Sequence, residues 1–181
     1  MLPRHRRGTT VLLQIEAFTA GGIASGAVAD SRALHDGLDA EQPLDLDAAT
    51  WYPIAGGAPE RRGRIHLGSD ELLVVCSDEH DLPIHATWHA IELDVGPYRL
   101  TGELPTMPGF DPGRALARPG GPFVLLREVR VELLDRPDAG RVDRPHAVVN
   151  RYAVDRVAAD IDLGFFFPGA RFLTMAGRPL A

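Results

Sequence analysis

The chain contains no lysine: all 19 of its basic residues are arginine. It has one cysteine (Cys76), one asparagine (Asn150) and four serines. No apolar run approaches the ~18 to 20 residues of a membrane-spanning helix. Each scarcity excludes something. A lone cysteine excludes an internal disulfide framework. None of Ser25, Ser31, Ser69 and Ser77 sits in a G-x-S-x-G elbow, which removes the commonest hydrolase signature. Gly21, Gly22 and Gly26 are followed by no G-K-[ST] and by no helical pattern, so neither a P-loop nor a dinucleotide fingerprint is present. The replacement of lysine by arginine goes with an abundance of Ala, Gly, Pro and Asp, the codon signature of a GC-rich genome. The arginines are spread along the chain and the net charge is −6, which weakens non-specific binding to nucleic acid or to an anionic membrane. The basic start, Met1–Gly8, is followed only by the short apolar stretch Val11–Ile15, which Gln14 interrupts. A signal peptide is not expected there, and a cytoplasmic location is.

What is present is a foldable chain of 181 residues, 45% hydrophobic and 24% charged, too apolar for disorder and long enough to bury a core. With 19 glycines and 15 prolines, long helices have little room. Two stretches, Leu13–Phe18 and Ile91–Val95, alternate apolar with polar residues as half-buried strands do. Each runs into a turn, Gly21-Gly22 or Gly96-Pro97, and then into a second strand, the signature of a β-hairpin.

These hairpins align with each other. When the sequence is slid along itself, Ile15 falls on Ile91, Ser25-Gly26 on Thr101-Gly102 and Val28 on Leu104. After a longer loop in the second copy, Arg32-Ala-Leu34 falls on Arg114-Ala-Leu116. The offset then shortens and places Pro43–Leu46 on Pro122–Leu125. It lengthens again to place Leu67, Leu72 and Val75 on Val149, Val154 and Val157. The offsets change in Pro/Gly-rich stretches, where insertions cost little. An internal repeat is therefore expected, with units over 10–78 and 84–160 and a tail over 161–181. The expected fold is all-β: two similar small barrels or sandwiches in tandem with little helix.

The order strand, turn, strand ending in Gly, loop, third strand, then a short apolar-bounded motif resembles the Sm-like family of small, bent five-stranded barrels, a relative of SH3-like barrels. Val149-Asn-Arg-Tyr-Ala-Val154 stands where that family opens its fourth strand, and Leu67-Gly-Ser-Asp-Glu-Leu72 does so in the first unit. The family reads uridines with an Asn in the loop before the third strand and an Arg in this motif. Here the loop Gly109–Arg114 has no Asn, and Arg151 stands one position away, where the family carries Gly. The resemblance thus implies a fold without carrying RNA binding along with it.

Three groups of residues could carry function. Cys76, His80, His85 and His89 lie close together along the chain and offer thiolate and imidazole to a metal such as zinc. Their spacing matches no zinc signature, and on one strand His85 and His89 would stand about 13 Å apart, too far for a shared ion. A helix would bring them together, but Cys76 ends an apolar run and reads first as a small buried residue. Arg61, Arg62, Arg64, Trp51, Arg151 and Tyr152 could combine guanidinium contacts and stacking on single-stranded RNA or DNA. Carboxylate pairs such as Glu92/Asp94 alternate with apolar residues and read as outward-facing strand positions before acid–base pairs. The tail holds four of seven phenylalanines, Phe165, Phe166, Phe167 and Phe172. It either completes the core or docks on a partner or second subunit; in a strand, Phe165 and Phe167 would face one way and Phe166 the other. The leading expectation is a non-enzymatic interaction or assembly module, without cofactor, that binds a protein partner or itself. Single-strand binding comes second, and a metal protein or enzyme third.

Overall fold

Alternation becomes strand along most of the chain. A computed structural model describes residues 12–28, 37–78, 82–110, 121–137 and 140–176. The strands are β1 (Leu13–Phe18), β2 (Gly22–Val28), β3 (Leu44–Pro53), β4 (Glu60–Arg61), β5 (Arg64–Leu67), β6 (Val74–Ser77), β7 (Thr87–Val95), β8 (Tyr98–Thr106), β9 (Phe123–Leu133), β10 (Arg141–Asn150), β11 (Val154–Ala159) and β12 (Arg171–Leu173). A single 3-10 turn, Arg151–Ala153, separates β10 from β11. The protein is all-β, and its strands form one open sheet in the order β12-β11-β7-β8-β9-β10-β6-β1-β2-β3-β4, with β5 beside β4 on β3.

Both expected hairpins are present, with the same register. Ile15 faces Gly26 across β1–β2, and Ile91 faces Gly102 across β7–β8. The next ladder slips at a bulge in both places, between Ser25 and Ala27 against β3 and between Thr101 and Glu103 against β9. Opposite each bulge stands a non-glycine residue with positive φ, Ala48 at 49° and Glu128 at 51°. The bulge brings the backbones close: a Cβ on Gly26 would come 3.0 Å from the Asp47 carbonyl oxygen, and one on Gly102 the same distance from that of Arg127. Only glycine fits there without a shift in the backbone.

These pairings correct the alignment of the third strands. Asp47 and Arg127 occupy the same point of their ladders, so the match of Pro43 with Pro122 is out of step by a single position. A one-residue slip reverses every side chain. In the corrected register the buried Leu44, Leu46 and Ala49 fall on the buried Val124, Leu126 and Val129. Val149–Val154 and Leu67–Leu72 prove to be connectors that close the fourth strand of each run and lead into β11 and β6. The Arg32–Leu34 and Arg114–Leu116 segments lie outside the described residues.

Two hydrophobic cores form on either side of the β6–β10 ladder. One gathers Ile15, Leu46, Leu67 and Val75 and takes in Phe123 and Val148 from the later half. The other gathers Leu93, Leu100, Leu126 and Val157 and takes in Phe18, Val74 and Cys76 from the earlier half. Strand β6 is buried on both faces, Val75 toward one core and Val74 and Cys76 toward the other. That is why Leu72–Cys76 reads as an unbroken apolar run rather than an alternating one. Tyr98 adds a further link between the halves: its ring meets Phe18 edge-on at 5.3 Å, and its hydroxyl donates to the Thr19 carbonyl at 2.9 Å.

Candidate functional site

The tail does not form one continuous strand. Gly164 and Gly169 take positive φ, Asp162 caps the Gly164 amide at 2.8 Å, and Pro168 interrupts any ladder. Freed from strand alternation, the three phenylalanines take three different environments. Phe167 is 1% exposed and lies in the second core, joined by Leu163. Phe166 is half-buried between Phe167 and Phe110, with edge-on ring contacts at 5.2 and 6.3 Å. Phe165 is 61% exposed. The expected pairing of Phe165 with Phe167 on one face is therefore overturned. Core completion accounts for Leu163 and Phe167, and Phe165 alone of the triplet presents a free ring. Phe172 is half-buried in β12, which pairs in parallel with β11: Arg156 with Arg171, Val157 with Phe172, Ala158 with Leu173.

At the other end of the sheet, β4 and β5 both pair with β3, and their outer edge has no partner among the described residues. From Glu60 to Leu67 no further strand of the described residues pairs with this edge. Arg62 N–H donates to Ala49 at 2.7 Å, and the Gly63 carbonyl accepts from Ala48 at 2.9 Å, so both groups face inward. Such an edge can accept another strand. Charges border it, which discourages indiscriminate pairing.

The basic residues singled out from the sequence fall into two separate places. Around the edge, Arg62 lies over the Trp51 ring at 5.6 Å and pairs with Glu60 at 2.7 Å. Arg64 pairs with Asp47 at 2.8 Å, and that hydrogen bond raises its pKa above the ordinary value. His66 meets Asp45 at 3.0 Å. Arg61 is exposed. The edge is thus a mixed-charge strip in which carboxylates answer most of the guanidinium charge. Arg151 and Tyr152 lie elsewhere, in the 3-10 turn after β10.

Arg151 is an unusual residue. It is 3% exposed, its guanidinium lies 5.2 Å from the Tyr152 ring and 5.4 Å from that of Phe166, and its Nε makes no hydrogen bond among the described residues. Burying a guanidinium against aromatic faces without a carboxylate is costly. Asn150 builds the turn: its side chain accepts from the Tyr152 amide at 3.1 Å and donates to the Leu72 carbonyl at 3.2 Å. The sequence places Arg151 among candidate functional residues but carries no sign that it is buried.

The cysteine and histidines are not gathered. Cys76 is buried in β6, and burial pushes its thiol far above its ordinary value, so the sulfur stays protonated and acts as a packing group. His85 sits exposed in a turn before β7 with φ at 70°, and His89 lies within β7, where its Nε2 meets the Thr106 hydroxyl at 2.8 Å. No helix brings the two together, and His80 lies outside the described residues. Among the described residues, no group of three His, Cys, Asp or Glu side chains is placed to hold a metal.

Glu92 and Asp94 enter a network with Arg99 and Arg156. Burial raises the pKa of Asp94, but hydrogen bonds from Arg99 and Arg156 outweigh it and hold the carboxyl below its ordinary value. Both carboxylates are therefore engaged in ion pairs that tie β7, β8 and β11 together.

No known relative identifies the chain. No family model matches it, and neither a curated protein nor a solved structure shows detectable similarity. Three features of the molecule stand out: an open charged edge, an exposed phenylalanine and a buried arginine. No described helix is long and apolar enough to cross a membrane.

Proposed function

We propose that the chain is a non-enzymatic protein-interaction module built from two Sm-like units in tandem, which binds a protein partner by strand addition at the β4–β5 edge. The observation that carries the proposal is the sheet order. Strands β6-β1-β2-β3-β5 and β11-β7-β8-β9-β10 follow one another in the same spatial sequence. The matching hairpin registers, bulges and positive-φ residues point the same way. In this reading β6 and β10 form a joint between units, and the chain has already used one fifth-strand edge and one fourth-strand edge to close it. The remaining fourth-strand edge, β4–β5, is the open one.

The edge can be tested at Gly63. Gly63 is exposed, a Cβ there would meet nothing within 4 Å, and its carbonyl rather than its amide bonds to β3. Gly63→Pro removes a backbone donor from this stretch while keeping the Gly63 carbonyl and the Arg62 N–H that bond to Ala48 and Ala49, and unchanged thermal stability of the variant checks that the ladder is kept. Affinity capture from the source cell with the intact chain and with Gly63→Pro tests the proposal. The partner is expected to be lost with the variant; equal recovery refutes the edge as the binding surface.

A second reading, single-strand binding, is favoured by one observation: the buried Arg151, with no carboxylate partner among the described residues, framed by Tyr152 and Phe166. An anion such as a phosphate would satisfy it. Anisotropy titration with short RNA at two salt concentrations separates the two readings. Tight, salt-sensitive binding abolished by Arg151→Leu would favour the second.

A further inference from the structure

The outer edge of β11 is not open, and the segment that covers it comes from the chain's own tail. Strand β12 holds Arg156–Ala158. In the offset that places Val75 on Val157, these correspond to Val74–Cys76, the residues that β10 holds at the joint. The tail therefore occupies on β11 the place that a neighbouring unit's fourth strand occupies on β6. It does so by a weaker pairing: three residues in parallel, against four in antiparallel at the joint. Moreover, Arg171 stands opposite Arg156, and like charges in register oppose pairing.

The joint also shows which strand would fit in its place. There Arg144 of β10 grips Glu16 of β1 with two hydrogen bonds, at 2.6 and 2.9 Å. In the offset that places Val75 on Val157, the counterpart of Arg144 is Arg62, on the open β4–β5 edge. In the offset that places Ile15 on Ile91, the counterpart of Glu16 is Glu92, beside β11. The free edge of one copy thus carries the charge that the covered edge of another would receive. Glu92 binds Arg156 closely through Oε1 and faces Arg99 at the longer distance of 3.7 Å, and its side chain keeps about a quarter of its surface exposed, where a second donor can reach it.

We propose that β12 is a releasable cap that keeps the chain from adding to itself, and that on its release the β4–β5 edge of a second copy takes its place on β11, with Arg62 meeting Glu92. This rests on the tandem-unit reading and names the tail as the regulator of its second edge. Phe167 and Leu163 lie before β12 and remain in the core when β12 lifts. Lifting it therefore takes only the half-buried Phe172 from the second core and leaves its buried members in place.

Sedimentation velocity of the intact chain and of a chain ending at Ala170 tests the cap. The intact chain is expected to sediment as one chain. The shortened one is expected to sediment as two or more, with a mass that grows with concentration. Arg62→Glu or Gly63→Pro in the shortened chain should return it to a single chain, and a synthetic peptide spanning residues 169–176 should do the same. A folded, shortened chain that stays monomeric overturns the proposal, and so does association that ignores both edge variants. Should the shortened chain fail to fold, the intact chain carrying Leu173→Pro is measured in its place, and a monomer there overturns the proposal equally. Partner capture sensitive to Gly63→Pro would survive that outcome, so failure of the cap is distinguishable from failure of the edge.

Discussion

Replacing Phe167 by alanine separates core from surface in the tail more sharply than any truncation. Its ring is buried in the second core and meets Phe166 at 5.2 Å, whereas Phe165, two residues earlier, is 61% exposed. A buried phenylalanine removes about 150 to 250 Å² from water, worth roughly 4 to 6 kcal/mol as an upper bound at about 25 cal/mol per Å². Alanine keeps part of that area, and the cavity relaxes only partly, so about 3 to 5 kcal/mol is the expected loss. Phe165→Ala should cost no more than about 0.5 kcal/mol. For a chain of this size each kcal/mol moves the melting temperature by about 2 to 4 °C, so Phe167→Ala should lower it by roughly 6 to 20 °C. Urea and thermal unfolding of the two variants give both numbers. Equal losses, or a larger one for Phe165→Ala, would refute the placement of the tail in the core.

Other expectations follow from the joint and its buried groups. The Glu16–Arg144 pair bridges the two halves with both side chains about a third exposed or less, so a double-mutant cycle of Glu16→Gln and Arg144→Met should give a coupling of about 1 kcal/mol that shrinks in high salt. A coupling near zero would mean that the joint is held by its ladder and cores alone. The Cys76 thiol should make the fold alkali-sensitive. Below pH 9, its ordinary value, folded and unfolded chains both keep the proton and stability is full. As pH rises past that value the unfolded chain releases the proton while the folded chain holds it, and stability should fall by about 1.4 kcal/mol per pH unit. Cys76→Ala should remove that slope, while Tyr98, whose hydroxyl is also raised by burial, keeps its own at higher pH. An unchanged slope in Cys76→Ala would contradict the burial of the thiol.

Much of the fold was legible because alternation and glycine turns are local signals. The two hairpins, β1–β2 and β7–β8, stand where alternation and the glycine turns placed them. The third strands were misaligned by one residue because the bulges at Ala48 and Glu128 place an extra residue that leaves no trace in polarity. The tail misled for a related reason. Three consecutive phenylalanines suggest a strand, but the flanking Gly164, Pro168 and Gly169 set the backbone, and the rings pack where the turns send them. Arg151 was the least readable residue: its burial depends on Phe166, distant in the sequence and brought beside it by the tail. The open edge was also out of reach, since whether Glu60–Leu67 has an outer neighbour depends on the order of all the strands.

The central claim is that the β4–β5 edge is the surface that works. Amide hydrogen exchange of the intact chain, alone and with the partner recovered by capture, tests it most directly. Amides within Glu60–Leu67 that are not bonded to β3 should exchange rapidly in the free chain and slow by at least tenfold, roughly 1.4 kcal/mol of added protection, when the partner is bound. Slowing confined to Arg151–Ala153, or an edge that exchanges as fast in the complex as in the free chain, would contradict it.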